Sequence, residues 1–93
     1  MRTIKRTTRF KRDYKRESKG LHRATLDKHL LAAIALLVTD QPLPERLRDH
    51  PLSGNWKDFR DCHVRPDLVL IYRKQDPETL ELVRLGSHSE LSL

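Results

Sequence analysis

The spacing of hydrophobic positions changes along this chain, and the changes mark out its elements. Weak alternation from Arg2 to Thr7 predicts a first strand. Thr8 is placed to cap a helix in which Phe10 and Tyr14 stack at i, i+4, and Gly20 is a natural stop for it. Leu26, Leu30, Ala33, Ile34 and Leu37 then recur at helical spacing, while Asp27 and Lys28 begin the opposite face. Leu31, Ala32, Ala35 and Leu36 make the second half of that helix apolar nearly all round, so it is either buried on two sides or covered by a partner protein. It must end near Thr39–Asp40, because Pro42 and Pro44 follow. From Gln41 to Asn55 the chain reads as loop, with Pro42, Pro44, Pro51 and Gly54. Trp56 to Val64 suits a strand, Pro66 breaks it, and Leu68 to Tyr72 is the continuous apolar run of a buried strand. Asp76-Pro77-Glu78 is a turn, and Thr79 to Leu85 is the last strand. The predicted class is α+β in the order β-α-α-β-β-β. The sheet is expected to be antiparallel, with the last three strands forming a meander, two helices packed on one sheet face and the other face partly open.

Composition bears on what that open face meets. The chain has 93 residues, room for one domain spanning 1–93, and 37% of them are hydrophobic, low but above the range of a disordered chain. Lys and Arg number 19 against 13 Asp and Glu, a formal charge of +6. Such an excess favours a polyanion, of which phosphate backbones are the commonest, or an acidic protein. The lone thiol, Cys62, can form no internal disulfide and fits a reducing cytoplasm. Met1 is followed by Arg2, Lys5 and Arg6 but by no apolar stretch, which argues against a signal peptide. Leu30 to Val38 is too short to span a bilayer, so no membrane role is expected.

The histidines are the candidate chemistry. His22 and His29 fall in helical segments, whereas His50, His63 and His88 each lie beside loop-forming residues in the second half. One from a loop, one from a strand end and one from near the C-terminus can converge on one edge of a small sheet. RNA cleavage requires that a 2′-hydroxyl lose a proton, that a 5′-oxygen gain one, and that charge on the phosphoryl oxygens be stabilised. Imidazole suits the proton transfers because its pKa lies near working pH. Asp61 and Asp67 can orient an imidazole or act as base, and Arg84, Arg65 and Arg60 are available for the charge. The same histidines and aspartates could bind zinc or manganese, but no compact ligand motif such as H-E-x-x-H is present. Taken singly, each histidine could equally be a hydrogen-bonded loop residue. Cys62 alternates with Asp61 and His63, so it should face away from them as a small buried side chain. Trp56 and Phe59 could stack on bases or fill core, and Ser87-x-x-Glu90 matches a capping box for one turn at most.

Three stretches extend the reading: Asp49-His50-Pro51-Leu52-Ser53-Gly54-Asn55-Trp56, Phe59-Arg60-Asp61-Cys62-His63-Val64-Arg65-Pro66-Asp67-Leu68-Val69-Leu70-Ile71-Tyr72, and Arg84-Leu85-Gly86-Ser87-His88-Ser89-Glu90-Leu91. Together they resemble the YafQ family of bacterial toxins within the RelE/ParE superfamily, and the helical first half is compatible in length and order. The resemblance implies a RelE-like fold and a metal-independent endoribonuclease without cofactor. Such a toxin cuts mRNA in the ribosomal A site and leaves a 2′,3′-cyclic phosphate. It implies a cognate antitoxin, typically DinJ-like and acidic where it wraps the toxin, with operator DNA bound only through that antitoxin. By the same resemblance His50, His63, Asp67 and His88 match the catalytic constellation, Asp61 a supporting acidic position, and Arg84 an arginine facing the phosphate. His88 would be the general acid, Asp67 or His63 the base or orienter, and His50 a phosphate holder. Relatives often carry an aromatic residue where this chain has Ser92, which would cost roughly 1–3 kcal/mol of base stacking unless Leu93, Trp56 or Phe59 substitutes. Two other functions stay open at this point: a ParE-like inhibitor of DNA gyrase, and a degenerate toxin that only binds its antitoxin.

Overall fold

In the computed structural model, which describes residues 1–93, Thr7 rather than Thr8 caps the first helix. Its hydroxyl accepts from the Phe10 amide at 3.0 Å and donates to the Val83 carbonyl at 2.7 Å. The elements are β1 (Thr3–Arg6), α1 (Thr8–Glu17), α2 (Leu26–Val38), β2 (His50–Pro51), β3 (Arg60–Arg65), β4 (Leu68–Arg73), β5 (Thr79–Gly86) and α3 (His88–Leu91). Single 3-10 turns lie at Glu45–Leu47 and Gly54–Trp56. The first helix stops at Glu17, three residues before Gly20, so His22 sits in a turn and is not helical.

The five strands lie in the order β1-β5-β4-β3-β2. Strands β3, β4 and β5 form the expected antiparallel meander, and β2 adds antiparallel to β3. The sheet is nevertheless mixed, because β1 runs parallel to β5. The chain reaches β5 only after the two helices and the strands β2, β3 and β4, a long crossover that places β1 beside the last strand running the same way. β1 covers β5 only as far as Leu82. Beyond it, side chains of the α1 segment take the open edge: Thr7 bonds the Val83 carbonyl, Asp13 accepts from the Leu85 amide at 3.0 Å, and Arg16 donates to the Leu85 carbonyl at 2.9 Å. The edge groups are thus satisfied without a further strand.

The main core lies between the helices and one sheet face, and includes Phe10, Leu26, Leu30, Leu37, Cys62, Leu70 and Tyr72. On the other face a smaller cluster of Val69, Ile71, Val83 and Leu91 carries Leu52, Trp56 and Phe59 against it. The second half of α2 is buried on one side only: Leu31 is 62% exposed, and Ala32 and Ala35 are also exposed. Leu31 joins Ile4, Phe10, Tyr14, Leu30 and Ile34 around a mostly apolar groove of about 510 Å³. No helix is long and apolar enough to cross a membrane.

The predicted strand from Trp56 starts later, at Arg60. Gly54 takes a φ of +64°, Lys57 donates to the Gly54 carbonyl, and the Leu52 amide closes on the Phe59 carbonyl at 2.9 Å. These bonds turn residues 52–59 into a closed loop that stands Trp56 edge-on to Phe59, with ring centroids 5.3 Å apart.

Candidate active site

Alternation along β3 decides which side chains reach the open face. Asp61 and His63 lie opposite Ile71 and Val69 and point there, while Cys62 packs in the helix-side core. Burial pushes the Cys62 thiol up to about 12, which makes it inert. His50 pairs with Asp61 across β2 and β3 and so shares its face. His88 follows β5 as the first residue of α3, held by a capping box: the Ser87 hydroxyl accepts from the Glu90 amide and the Glu90 carboxylate from the Ser87 amide. Three imidazoles from three chain segments therefore meet in one cleft of about 520 Å³. The His63 ring lies 4.9 Å from that of His88 and 6.4 Å from that of His50.

Each ring has a distinct environment. The Asp67 carboxylate, exposed at the turn between β3 and β4, accepts from His88 Nδ1 at 2.9 Å and from the His88 amide at 3.3 Å. That places the ring proton on Nδ1 and leaves Nε2 free. The same bonds to His88 hold the Asp67 carboxyl below the usual aspartate range. His50 Nδ1 has two acceptors within reach, the Arg48 carbonyl at 2.6 Å and Asp61 Oδ1 at 3.0 Å. The imidazole N–H donates to the carbonyl, and Asp61 Oδ1 is left buried without a hydrogen bond. Burial accordingly raises the Asp61 pKa, opposed by the nearby His50, His63 and His88. Burial lowers that of His63, Asp61 opposes the shift, and His88, Arg48 and His50 add to it.

The family model for YafQ, a bacterial toxin of type II toxin–antitoxin systems, matches residues 2–93. The chain belongs to the YafQ family. It is 36% identical over 90 residues to the mRNA interferase toxin YafQ of Escherichia coli K12, covering 95% of this chain and 97% of the relative. A copper-bound mutant toxin from Helicobacter pylori superposes with a TM-score of 0.87 at 38% identity, over 98% of this chain and 99% of that one. YafQ in the E. coli DinJ–YafQ complex superposes with a TM-score of 0.79 at 34% identity, over 98% of each chain. In the present chain no three His, Cys, Asp or Glu side chains form a group that could hold a metal ion.

In this YafQ-family cleft the structure brings together His50, Asp61, His63 and His88, with Asp67 behind His88. The three arginines are placed otherwise. Arg60 lies opposite Tyr72 on the helix side and binds Asp49 at 3.2 and 3.3 Å. Arg65 should alternate back toward His63, but a bulge between the two shifts the register, pairs Arg65 with Leu68 and turns it to His29 on α2. Arg84 is on the open face but lines an adjoining cleft, with its Nε 2.7 Å from Asp13. Two residues escaped the sequence reading. Arg48 is exposed and close enough to repel a proton from His63. Asp49 fastens the His50 segment to the sheet through Arg60 and the Tyr72 hydroxyl. Their only signal was position: Asp49 precedes His50 at the start of the Asp49-to-Trp56 stretch, and Arg48 lies just before it.

Proposed function

We propose that this protein is a type II toxin that cuts mRNA on the ribosome by acid–base chemistry, with residues 1–93 acting as one domain in the cytoplasm. His63 takes the proton from the 2′-hydroxyl, since burial keeps its imidazole neutral and able to accept. The 2′-oxygen bonds to phosphorus, the bond to the 5′-oxygen breaks, and His88, entering the step as an imidazolium whose Nδ1 proton stays with Asp67, delivers its Nε2 proton to that oxygen, leaving a 2′,3′-cyclic phosphate. Asp67 orients His88 and is not the base, because its carboxylate is engaged by the His88 ring and amide. His50 steadies the phosphate, and Arg48 supplies the charge that Arg60 and Arg65 cannot. Asp61 supports the cluster electrostatically. The observation that carries this reading is the meeting of His50, His63 and His88 in one cleft, which an inhibitor acting by surface binding alone does not need.

The relatives' names add that the E. coli toxin is an mRNA interferase and is bound by DinJ. A cognate DinJ-like antitoxin with an acidic wrapping segment fits the +6 charge and the apolar groove beside α2. Operator DNA is then bound through that antitoxin. The test is His88→Ala: mRNA cleavage and growth arrest on induction should be lost while circular dichroism is unchanged. A folded variant as toxic as the wild type would remove His88 from the mechanism.

A further inference from the structure

Beside the histidine cleft lies a second one of about 520 Å³, lined by Arg9, Phe59, Arg84 and Leu91 and sharing Asn55, Trp56 and Ser92 with the first. The two adjoin at these three residues. We propose that this second cleft holds the nucleotide adjoining the cleaved phosphodiester, its base stacked on Trp56 and its phosphate at Arg9. The proposal rests on the RNA-cleaving reading above and adds a binding subsite to it.

Trp56 has the rigidity that a stacking platform needs. The closed loop 52–59 fixes its backbone, and its ring stands at 84° to Phe59. Phe59 is pinned in turn by the Arg73 guanidinium, 4.9 Å from its ring centre. The indole stays half-buried, so part of its surface faces the cleft. Every base has a π-face, so stacking there holds a strand with little sequence preference. The charges of the cleft sort themselves. Arg84 is spent on Asp13, while Glu90 is spent on Arg16 and on the Ser87 amide. Arg9 is exposed and meets no carboxylate, so it is the cation left for an incoming phosphate. An aromatic platform and an unpaired arginine, adjoining the histidine cleft, match a nucleotide better than an apolar protein segment.

The test is cleavage of a reporter mRNA in a translating extract by wild type, Trp56→Phe, Trp56→Leu and Arg9→Glu, with thermal melts run alongside. At sub-saturating protein the rate should fall about tenfold or more for Trp56→Leu, less for Trp56→Phe, and severalfold for Arg9→Glu. Cleavage by Trp56→Leu and Arg9→Glu within roughly twofold of wild type, at unchanged positions, overturns the subsite. So does a Trp56→Leu protein that cuts normally but no longer binds its antitoxin, since the cleft is then a protein-docking surface. If Trp56→Leu does not fold, Arg9→Glu decides, because that side chain is exposed and supports no packing. A wild type that leaves mRNA whole sinks the RNA-cleaving reading and the subsite together, whereas unaffected variants beside an active wild type sink only the subsite.

Discussion

Asp61 is the buried carboxylate of the cleft. It is 2% exposed, one of its oxygens has no hydrogen bond, and burial holds its pKa above the ordinary 3.8. A carboxyl with a raised folded pKa favours the native state below its unfolded value, and that advantage is lost as pH rises through the folded value. At neutral pH its charge is therefore carried at a cost, which the three imidazoles offset only in part. Asp61→Asn should stabilise the protein at pH 7 by about 1 kcal/mol in urea unfolding, and should slow cleavage. A destabilised variant would mean that the carboxylate is better solvated than the geometry indicates. His63 carries the second expectation at this scale. Its pKa is lowered from 6.5, and it must be neutral to accept a proton. Activity should hold as pH drops below 6.5 and fail only as pH passes the lowered value. An acid limb centred above 6.5 would assign the base to another group.

At the scale of elements, the active cleft depends on one helical turn. α3 has four residues, too few to be stable alone, and the capping box at Ser87 starts it where His88 must stand. Ser87→Ala should remove about 1 kcal/mol of local stability and leave His88 present but loosely aimed. The expected result is a lower kcat with RNA binding retained. An unchanged kcat would show that Asp67 suffices to place the ring. The other decisive element is β3, whose alternation separates Asp61 and His63 from Cys62. That separation follows from residue order alone, so the inert, buried thiol was legible in the sequence. The bulge that turns Arg65 toward α2 was not, because nothing in His63-Val64-Arg65 marks Val64 as the extra residue left without a partner on β4.

For the molecule as a whole, Asp13 ties α1 to the far end of the chain. Its two oxygens receive Arg84, Arg16 and the Leu85 amide, and its side chain is 5% exposed. Burial alone would raise its pKa, but the bonds to Arg84 and Leu85, with the charges of Arg84 and Arg16, bring it below the ordinary 3.8. For a lowered carboxyl the stabilisation is complete above the unfolded value and disappears as pH falls through the folded one. Asp13→Ala should cost about 3 kcal/mol at pH 7, measured by urea unfolding, with a smaller difference from wild type at acid pH. A constant difference from pH 7 to strongly acid conditions would show that the loss is one of packing.

Most of the element order, the helix-side core and the histidine set could be read from the chain, because periodicity and turn residues act over a few neighbours. The parallel seating of β1 could not, since it depends on how two helices carry the chain back across the sheet. Nor could the fate of the arginines: a guanidinium goes to whichever carboxylate folding brings near, and Asp13 is distant from Arg84 in sequence while Asp49 meets Arg60 only through the pairing of β2 with β3. Local spacing named the groups able to move protons. Long-range packing chose which of them share a cleft and which cations remain free to meet a phosphate.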